Sequence, residues 1–594
     1  MNFLKTFLAS FLGTIIGISF LILILFVAII STSGETEPYI HSNTVLKMQL
    51  GGTIEARTAH DPFSDLFPAA AGRQVSLEML KNNLDKAAAD DRISGVWIEF
   101  SRLATSWANL ETAYKYLQEF RDESGKFIYA SSNDLGMNES AYLLASVADS
   151  IFLPPEIYFE FNGFVIQISY MKNMLEKIGV EPEISRVGEY KSAVEPFLRE
   201  DSSPENREQI MAILNSASET FIDAIENNRG LSRVQINELM NQIPPNSVQW
   251  ALEAGLIDAI AHPHDVEDAI KNRLELEEDA TLRTVSIQRY NRVQPRSAGM
   301  DLPDTSNRIA VIYASGMILP ADAAGPFASG SVITANSIKQ SLESSLENDD
   351  VKAIVIHINS GGGAISTSEL ILGQIREASK EKPVIAYLGN VAASGGYYIA
   401  MGADAVVASP NTITGSIGIY NQLFNTQEFY NDKLGIYFEE FKTHDHADIG
   451  LMTRPLTPSE REAMQRNVES GYETFLNRVA DGRNMSRDEV HEVAQGRIWT
   501  GSDAEDIDLV DLTGSLDDAI ALAAERAEID EYRLIRYPER KELFEMLFSS
   551  AEVRVSNWVR SFIPYSEEIQ TVHDLMNHNS GRNWAIMPIE FIID

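Results

Sequence analysis

The sequence predicts an α/β protein whose soluble part is one domain written twice behind an N-terminal transmembrane helix. Three observations carry this: an unbroken apolar run over residues 7–30, strands alternating with amphipathic helices, and matched segments recurring at an offset of about 255 residues. At 594 residues the chain is also too long for one compact core.

Residues 1–34 form the expected membrane anchor. The run from Phe7 to Ile30 carries no charge, and at about 1.5 Å per residue it reaches about 36 Å, enough to span a bilayer. A cleavable signal peptide is the rival reading, because "STS" at 31–33 resembles a cleavage site. Its apolar region would normally run only about 7 to 15 residues, so a retained anchor is favoured. Lys5 precedes the span and Glu35 and Glu37 follow it, which puts the bulk of the chain outside the cytoplasm.

The first α/β repeat covers 45–290, a linker 291–307, the second repeat 308–540 and a C-terminal extension 541–594. "VLKMQLGGTIEAR" from Val45 matches "RIAVIYASGMILPA" from Arg308, and "LKNNLDKAAADDRISGVWIEF" from Leu80 matches "IKQSLESSLENDDVKAIVIHI" from Ile338. "AYLLASVADSIFLPP" answers "YYIAMGADAVVASPN", with Asp149 opposite Asp404. Strands separated by helices of this length indicate crossover α/β units. Long helical stretches starting at Ser203-Pro204 and Thr457-Pro458 close the copies, each on an N-cap residue followed by proline. In the extension, "KELFEMLFSSAEVRVSNWVRSFI" (541–563) has apolar positions at helical spacing, which suits core or subunit packing.

Composition removes several functions. Lys and Arg total 48 against 86 Asp and Glu, a formal charge of −38, which argues against a general affinity for nucleic acid or anionic lipid. There are no cysteines, so thiol nucleophiles and thiolate metal sites are excluded. HExxH, Walker A and dinucleotide-binding motifs are missing from the sequence, and no cofactor is implied.

Duplication supplies an internal control: what the fold demands should occur in both copies, and what occurs in one is a candidate for chemistry. "AASGGYYIA" contains Ser394, Gly395 and Gly396, whereas the first copy has Glu139 and Ser140 opposite Ser394 and Gly395. The glycine turn "NSGGGA" (359–364) is replaced there by "FSRLAT". The reverse holds for "GEYKSAVEPF", whose Lys191 stands opposite Ala447. An isolated Ser-Gly-Gly is most simply a strand-to-helix turn, and an isolated lysine a solvated surface residue. The complementary losses suggest instead that each half kept one member of a catalytic pair.

"NSGGG", "AASGGYYIA" and "TGSIGI" in the second copy, with "GEYKSAVEPF" in the first, resemble the signal peptide peptidase A (protease IV) family in its long, duplicated form. The resemblance covers the chain from the anchor to about residue 540. It implies tandem Clp protease/crotonase-like domains on the extracytoplasmic (periplasmic) side of the bacterial inner membrane, held by a single span. It further implies a homo-tetramer that degrades hydrophobic peptides, the signal peptides left in the membrane after signal peptidase has acted. By the same likeness Ser394 is the nucleophile, Lys191 the general base and Ser416 the hydroxyl that holds the lysine amine. Gly361, Gly362 and Gly395 would supply the oxyanion hole, although "NSGGG" has glycine where many relatives have a proline after the serine.

A lysine of ordinary pKa, about 10.4, is protonated at neutral pH and must be made neutral to act as a base. Burial among apolar neighbours such as Val187, Ala193 and Val194 would do so. "THDHAD" keeps a second reading open, with His444 or His446 as the base, and its spacing alone raises a metal reading that nothing else supports. Two other functions compete with the peptidase: a catalytically inactive membrane scaffold, and a crotonase-like acyl-CoA enzyme that shares the glycine-rich turn.

Overall fold

In the computed structural model the described residues are 37–57, 75–132, 135–243, 248–320 and 332–539, the backbone of 584–586, and two isolated glycines, Gly13 and Gly17. The rest of the 7–30 run and the 541–563 pattern lie outside them. Among the described residues no helix is long and apolar enough to cross a membrane.

The first repeat builds a parallel sheet from β1 (Thr44–Gly52), β2 (Ile93–Leu103), β3 (Phe127–Ser132), β4 (Ser150–Leu153), β6 (Ala259–Ile260) and β7 (Arg283–Ser286), while β5 (Glu181–Val187) leaves it. The order is β6-β4-β3-β2-β1-β7. The second repeat contributes β8 (Arg308–Ser315), β11 (Val351–Ser360), β13 (Val384–Ala393), β14 (Ala405–Ala408), β18 (Leu512–Thr513) and β19 (Arg533–Tyr537). These run in the same order, β18-β14-β13-β11-β8-β19. Helices lie against the sheets, so central strands are apolar on both faces: Val96, Trp97 and Ile98 in β2, and Ile354, Val355, Ile356 and Ile358 in β11, are buried.

Equivalent bonds recur in both copies. The Asp149 carboxylate accepts from the N–H of Ile128, whose carbonyl accepts from the N–H of Asp149, and Asp404 makes the same exchange with Val384. Tyr142 donates its hydroxyl to the Leu256 carbonyl at 2.6 Å, and Tyr397 to that of Leu509 at 2.7 Å. The closing helices Pro204–Arg229 and Pro458–Arg483 are each 26 residues long and are capped by the Ser203 and Thr457 side chains.

The copies are joined by a third sheet. It takes β9 (Met317–Ile318), β10 (Val332–Ile333), β12 (Gly362–Ala364), β16 (Ile419–Asn425) and β20 (Trp584–Ile586) in the order β10-β9-β12-β20-β16-β5. The outer pair is antiparallel, running from Glu181 opposite Asn425 to Val187 opposite Ile419. The first repeat thereby lays one of its strands on the second. Two short strands, β15 (Ile413–Gly415) and β17 (Ile498–Trp499), continue from the far end of β13.

Candidate active site

Three sequence-predicted residues, from three separate segments, meet at one point. Ser394 follows directly on β13, Ser416 on β15, and Lys191 comes four residues after β5. The Lys191 amine lies 2.9 Å from Ser394 Oγ, 2.9 Å from Ser416 Oγ and 3.0 Å from the Ser416 carbonyl oxygen. Ser394, Ser416 and Lys191 are all at most 1% exposed.

The serines sit in backbone conformations that side chains rarely adopt. Ser394 has φ 55° and ψ −117°, and Ser416 has φ 50°. Each such residue costs about 1–3 kcal/mol and persists only where its surroundings enforce it. The N–H of Ser394 donates to the Gly415 carbonyl at 2.8 Å and that of Ser416 to the Arg497 carbonyl at 2.7 Å, pinning both turns. Gly396 has a separate reason: a Cβ there would meet the Ser360 carbonyl oxygen at 2.3 Å, so the helix Gly395–Ala400 packs on the β11 terminus only without a side chain. The first copy builds the corresponding helix, Glu139–Ala145, and its Glu139 carboxylate accepts from the N–H groups of Asn162 and Gly163. A strand-to-helix junction on this frame therefore needs no serine.

Burial drives the chemistry of the lysine. Desolvation with no carboxylate partner brings the Lys191 amine down to about 7. A neutral amine has two N–H groups and one lone pair. With the two N–H groups on the Ser416 carbonyl and hydroxyl, the lone pair faces the Ser394 hydroxyl. Ala193 and Val194 are buried with Leu319, Ala364 and Tyr420 in one apolar cluster beside it, whereas Val187 is only partly buried.

Residues 495–497 are a part of the site that sequence reasoning missed. The Tyr190 N–H donates to the Gln495 carbonyl at 3.0 Å, the Arg497 guanidinium lies 4.9 Å from the Tyr190 ring centroid, and Gly496, at φ +81°, lies directly under Lys191. A Cβ on Gly496 would stand 2.6 Å from Lys191 Cβ and 2.7 Å from its backbone nitrogen. The available signal was again the duplication, since the first repeat reads "IPPNS" in this region, with no glycine. Gly496→Ala is expected to push the lysine off Ser394 and to lower kcat roughly 100-fold, a loss typical of misplacement by about 1 Å, with little change in KM. Steady-state kinetics on a peptide substrate checks this.

The other expected residues are placed as follows. Gly361 lies between β11 and β12, the Gly362 N–H donates to the Ser360 hydroxyl at 3.1 Å, and Gly395 begins the helix after Ser394. An oxyanion would compete with that hydroxyl for Gly362 and meet uncommitted first-turn N–H groups at the helix. His444 contacts the Thr443 hydroxyl, and His446 lies against Glu460 at the start of Pro458–Arg483. Neither histidine is bonded to Ser394.

A serine hydroxyl beside a buried amine, on a duplicated α/β frame, defines a serine hydrolase. The profile of peptidase family S49 matches residues 121–277 and 376–530, one match in each repeat. "Serine protease SPPA, chloroplastic" of Arabidopsis thaliana is 35% identical over 480 residues, covering 80% of this chain and 70% of that protein. "Protease 4" of Salmonella typhi is 34% identical over 519 residues, covering 85% and 80%. "Putative signal peptide peptidase SppA" of Enterococcus faecium is 36% identical over 194 residues, covering 32% and 56%. The chain belongs to peptidase family S49, as a serine protease of the signal peptide peptidase A type.

Proposed function

We propose that the chain is an endopeptidase anchored by residues 7–30 outside the cytoplasm, which degrades remnant signal peptides through a Ser394/Lys191 dyad. The observation that carries the mechanism is the 2.9 Å approach of the Lys191 amine to Ser394 Oγ inside a buried site.

The residues act in this order. Lys191 takes the Ser394 proton as Oγ bonds to the scissile carbonyl carbon, and glycine N–H groups, Gly395 among them, stabilise the oxyanion. The tetrahedral adduct collapses, the C–N bond breaks, and the Lys191 ammonium returns its proton to the leaving amine. Water, giving its proton to the Lys191 amine, then attacks the ester carbon; the C–Oγ bond breaks, and the Lys191 ammonium returns its proton to Ser394 Oγ. Ser416 keeps the amine aimed through both phases. It adds no negative charge that would raise the lysine pKa again.

The sheet edges support this reading of substrate class and assembly. The place between β12 and β16, where β20 lies in the sheet order, is one that an extended peptide would take, fixed by ladder bonds rather than by charge, which suits apolar segments. Assembly as a ring, a homo-tetramer by family likeness, is supported by an unpaired pair of edges. Within one chain β5 of the first repeat adds to β16 of the second. The repeat counterparts are residues 164–170, extended and alternately exposed yet in no strand, and 437–443, where Tyr437, Phe438 and Phe441 are exposed. Joining these edges between neighbouring molecules would bury that apolar surface and propagate head to tail.

The test is hydrolysis of apolar peptides, including a signal peptide in a bilayer, by the purified full chain. Activity is expected to survive His446→Ala and to vanish in Ser394→Ala. A histidine-dependent, lysine-independent reaction would overturn the dyad, and coenzyme A thioester turnover or complete inertness would favour the acyl-CoA or scaffold readings.

A further inference from the structure

We propose that Gln209, on the closing helix of the first repeat, is a positioning residue that sets Lys191 against the Ser416 turn across the seam between the repeats. It lies in the second turn of Pro204–Arg229, a helix capped by the Ser203 side chain, and is 1% exposed. The N–H of Ile498 donates to Gln209 Oε1 at 3.1 Å, and since a backbone N–H can only donate, this end of the amide is the oxygen. The nitrogen end therefore faces the lysine loop. It lies 2.8 Å from Ser192 Oγ and 3.3 Å from the Tyr190 carbonyl oxygen, with Asn206 Oδ1 at 3.0 Å. Tyr190 and Ser192 are the residues on either side of Lys191.

The oxygen end reaches the other half of the site. Ile498 stands opposite Gly415 in the pairing of β15 with β17, and the preceding residue, Arg497, accepts the Ser416 N–H on its carbonyl at 2.7 Å. One amide thus ties the chain that carries the base to the strand that pins the hydroxyl holding it. The Lys191 amine, at the end of a flexible four-carbon stem, meets Ser394 and Ser416 only if these two backbones keep their spacing. The adjacent Glu208 bonds the Tyr190 hydroxyl at 3.2 Å and Arg497 at 2.9 Å, but it is half exposed, so that grip is the weaker.

Duplication supports the assignment independently. Counted from the N-caps Ser203 and Thr457, Gln209 falls opposite Ala463. A closing helix on this frame needs no amide at that position, and burying one costs free energy unless its polar atoms are bonded. Like Lys191, the residue is kept in one copy only. Its catalytic consequence rests on the dyad reading, whereas the amide's bonds do not.

Gln209→Met in the full-length protein tests this, because it keeps the length of the side chain and removes every bond of the amide. On an apolar fluorogenic peptide kcat is expected to fall roughly 10- to 100-fold, with KM within about twofold of the parent, as for a misplaced base. The Lys191 amine, which burial brings to about 7 in the parent, should titrate higher, since an amine released from its place regains water. NMR of protein labelled at lysine Cε reads this without turnover. A purely structural role would lower the melting temperature and leave kcat and the lysine titration unchanged, and that result would overturn the proposal. If Gln209→Met does not fold, Ser192→Ala decides, because it deletes one partner of the amide and leaves the helix intact. There kcat should fall roughly threefold or more at constant KM, the scale of one lost hydrogen bond, and an unchanged kcat would overturn the proposal. Failure of the peptidase reading would appear separately, as lack of hydrolysis by the parent with the shift in lysine titration intact.

Discussion

Replacing Lys191 by methionine is expected to abolish peptide hydrolysis and, in the same protein, to raise the melting temperature. The catalytic loss should be about 10⁴-fold or more, the scale on which members of a nucleophile-base unit act. The stability gain follows from linkage. Burial brings the folded-state pKa to about 7, whereas the unfolded lysine titrates near 10.4, so between these values the unfolded state binds more protons. The cost of burying the amine is therefore fully present below pH 7 and fades as pH rises toward 10.4. Methionine matches the chain's length without that cost, though it leaves the Ser416 carbonyl without its donor, a loss of about 1–3 kcal/mol. The melting temperature of Lys191→Met should exceed that of the parent by a few degrees at pH 6 to 7, with the gap closing toward pH 10. Calorimetry across pH checks this, and a gap independent of pH would mean that the lysine is not buried neutral.

Ser394→Ala should be as inactive as Lys191→Met, and the double variant no worse than either. A hydroxyl without its base and a base without its hydroxyl are both useless, so the two losses do not add. Ser394→Ala should gain no stability, because alanine meets the same backbone strain at φ 55° and ψ −117° and the Lys191 amine loses its hydroxyl partner. Additive losses in single-turnover measurements would show that the two residues act in separate steps.

Much of this was legible in the sequence because duplication turns one chain into its own comparison. Asp149 and Asp404, aligned by sequence, make the same bonds at the same strand junctions. Ser394 and Lys191 stood out because each lacked a counterpart, and the structure brings them to 2.9 Å. The antiparallel pairing of β5 with β16 was not legible: it joins segments more than 230 residues apart, and such a ladder leaves no local signature. "EPEISRV" carries a proline and a broken alternation, which does not read as a strand. The support of Lys191 by Gln495–Arg497 was hidden for a related reason, since a glycine that matters by touching distant backbone looks like any turn glycine. The oxyanion donors were the least legible part, because which N–H remains uncommitted depends on side chains such as Ser360 that compete for it.

The claim on which the account turns is that Lys191 is a neutral base at working pH, aimed at Ser394. Its amine pKa can be measured directly by NMR in full-length protein labelled at lysine Cε, with Lys191→Met assigning the signal. The account predicts a titration near pH 7, in line with the burial of the amine, together with a kcat/KM that rises through the same range. A Lys191 resonance still protonated above pH 10, with peptide hydrolysis intact at pH 7, would contradict it.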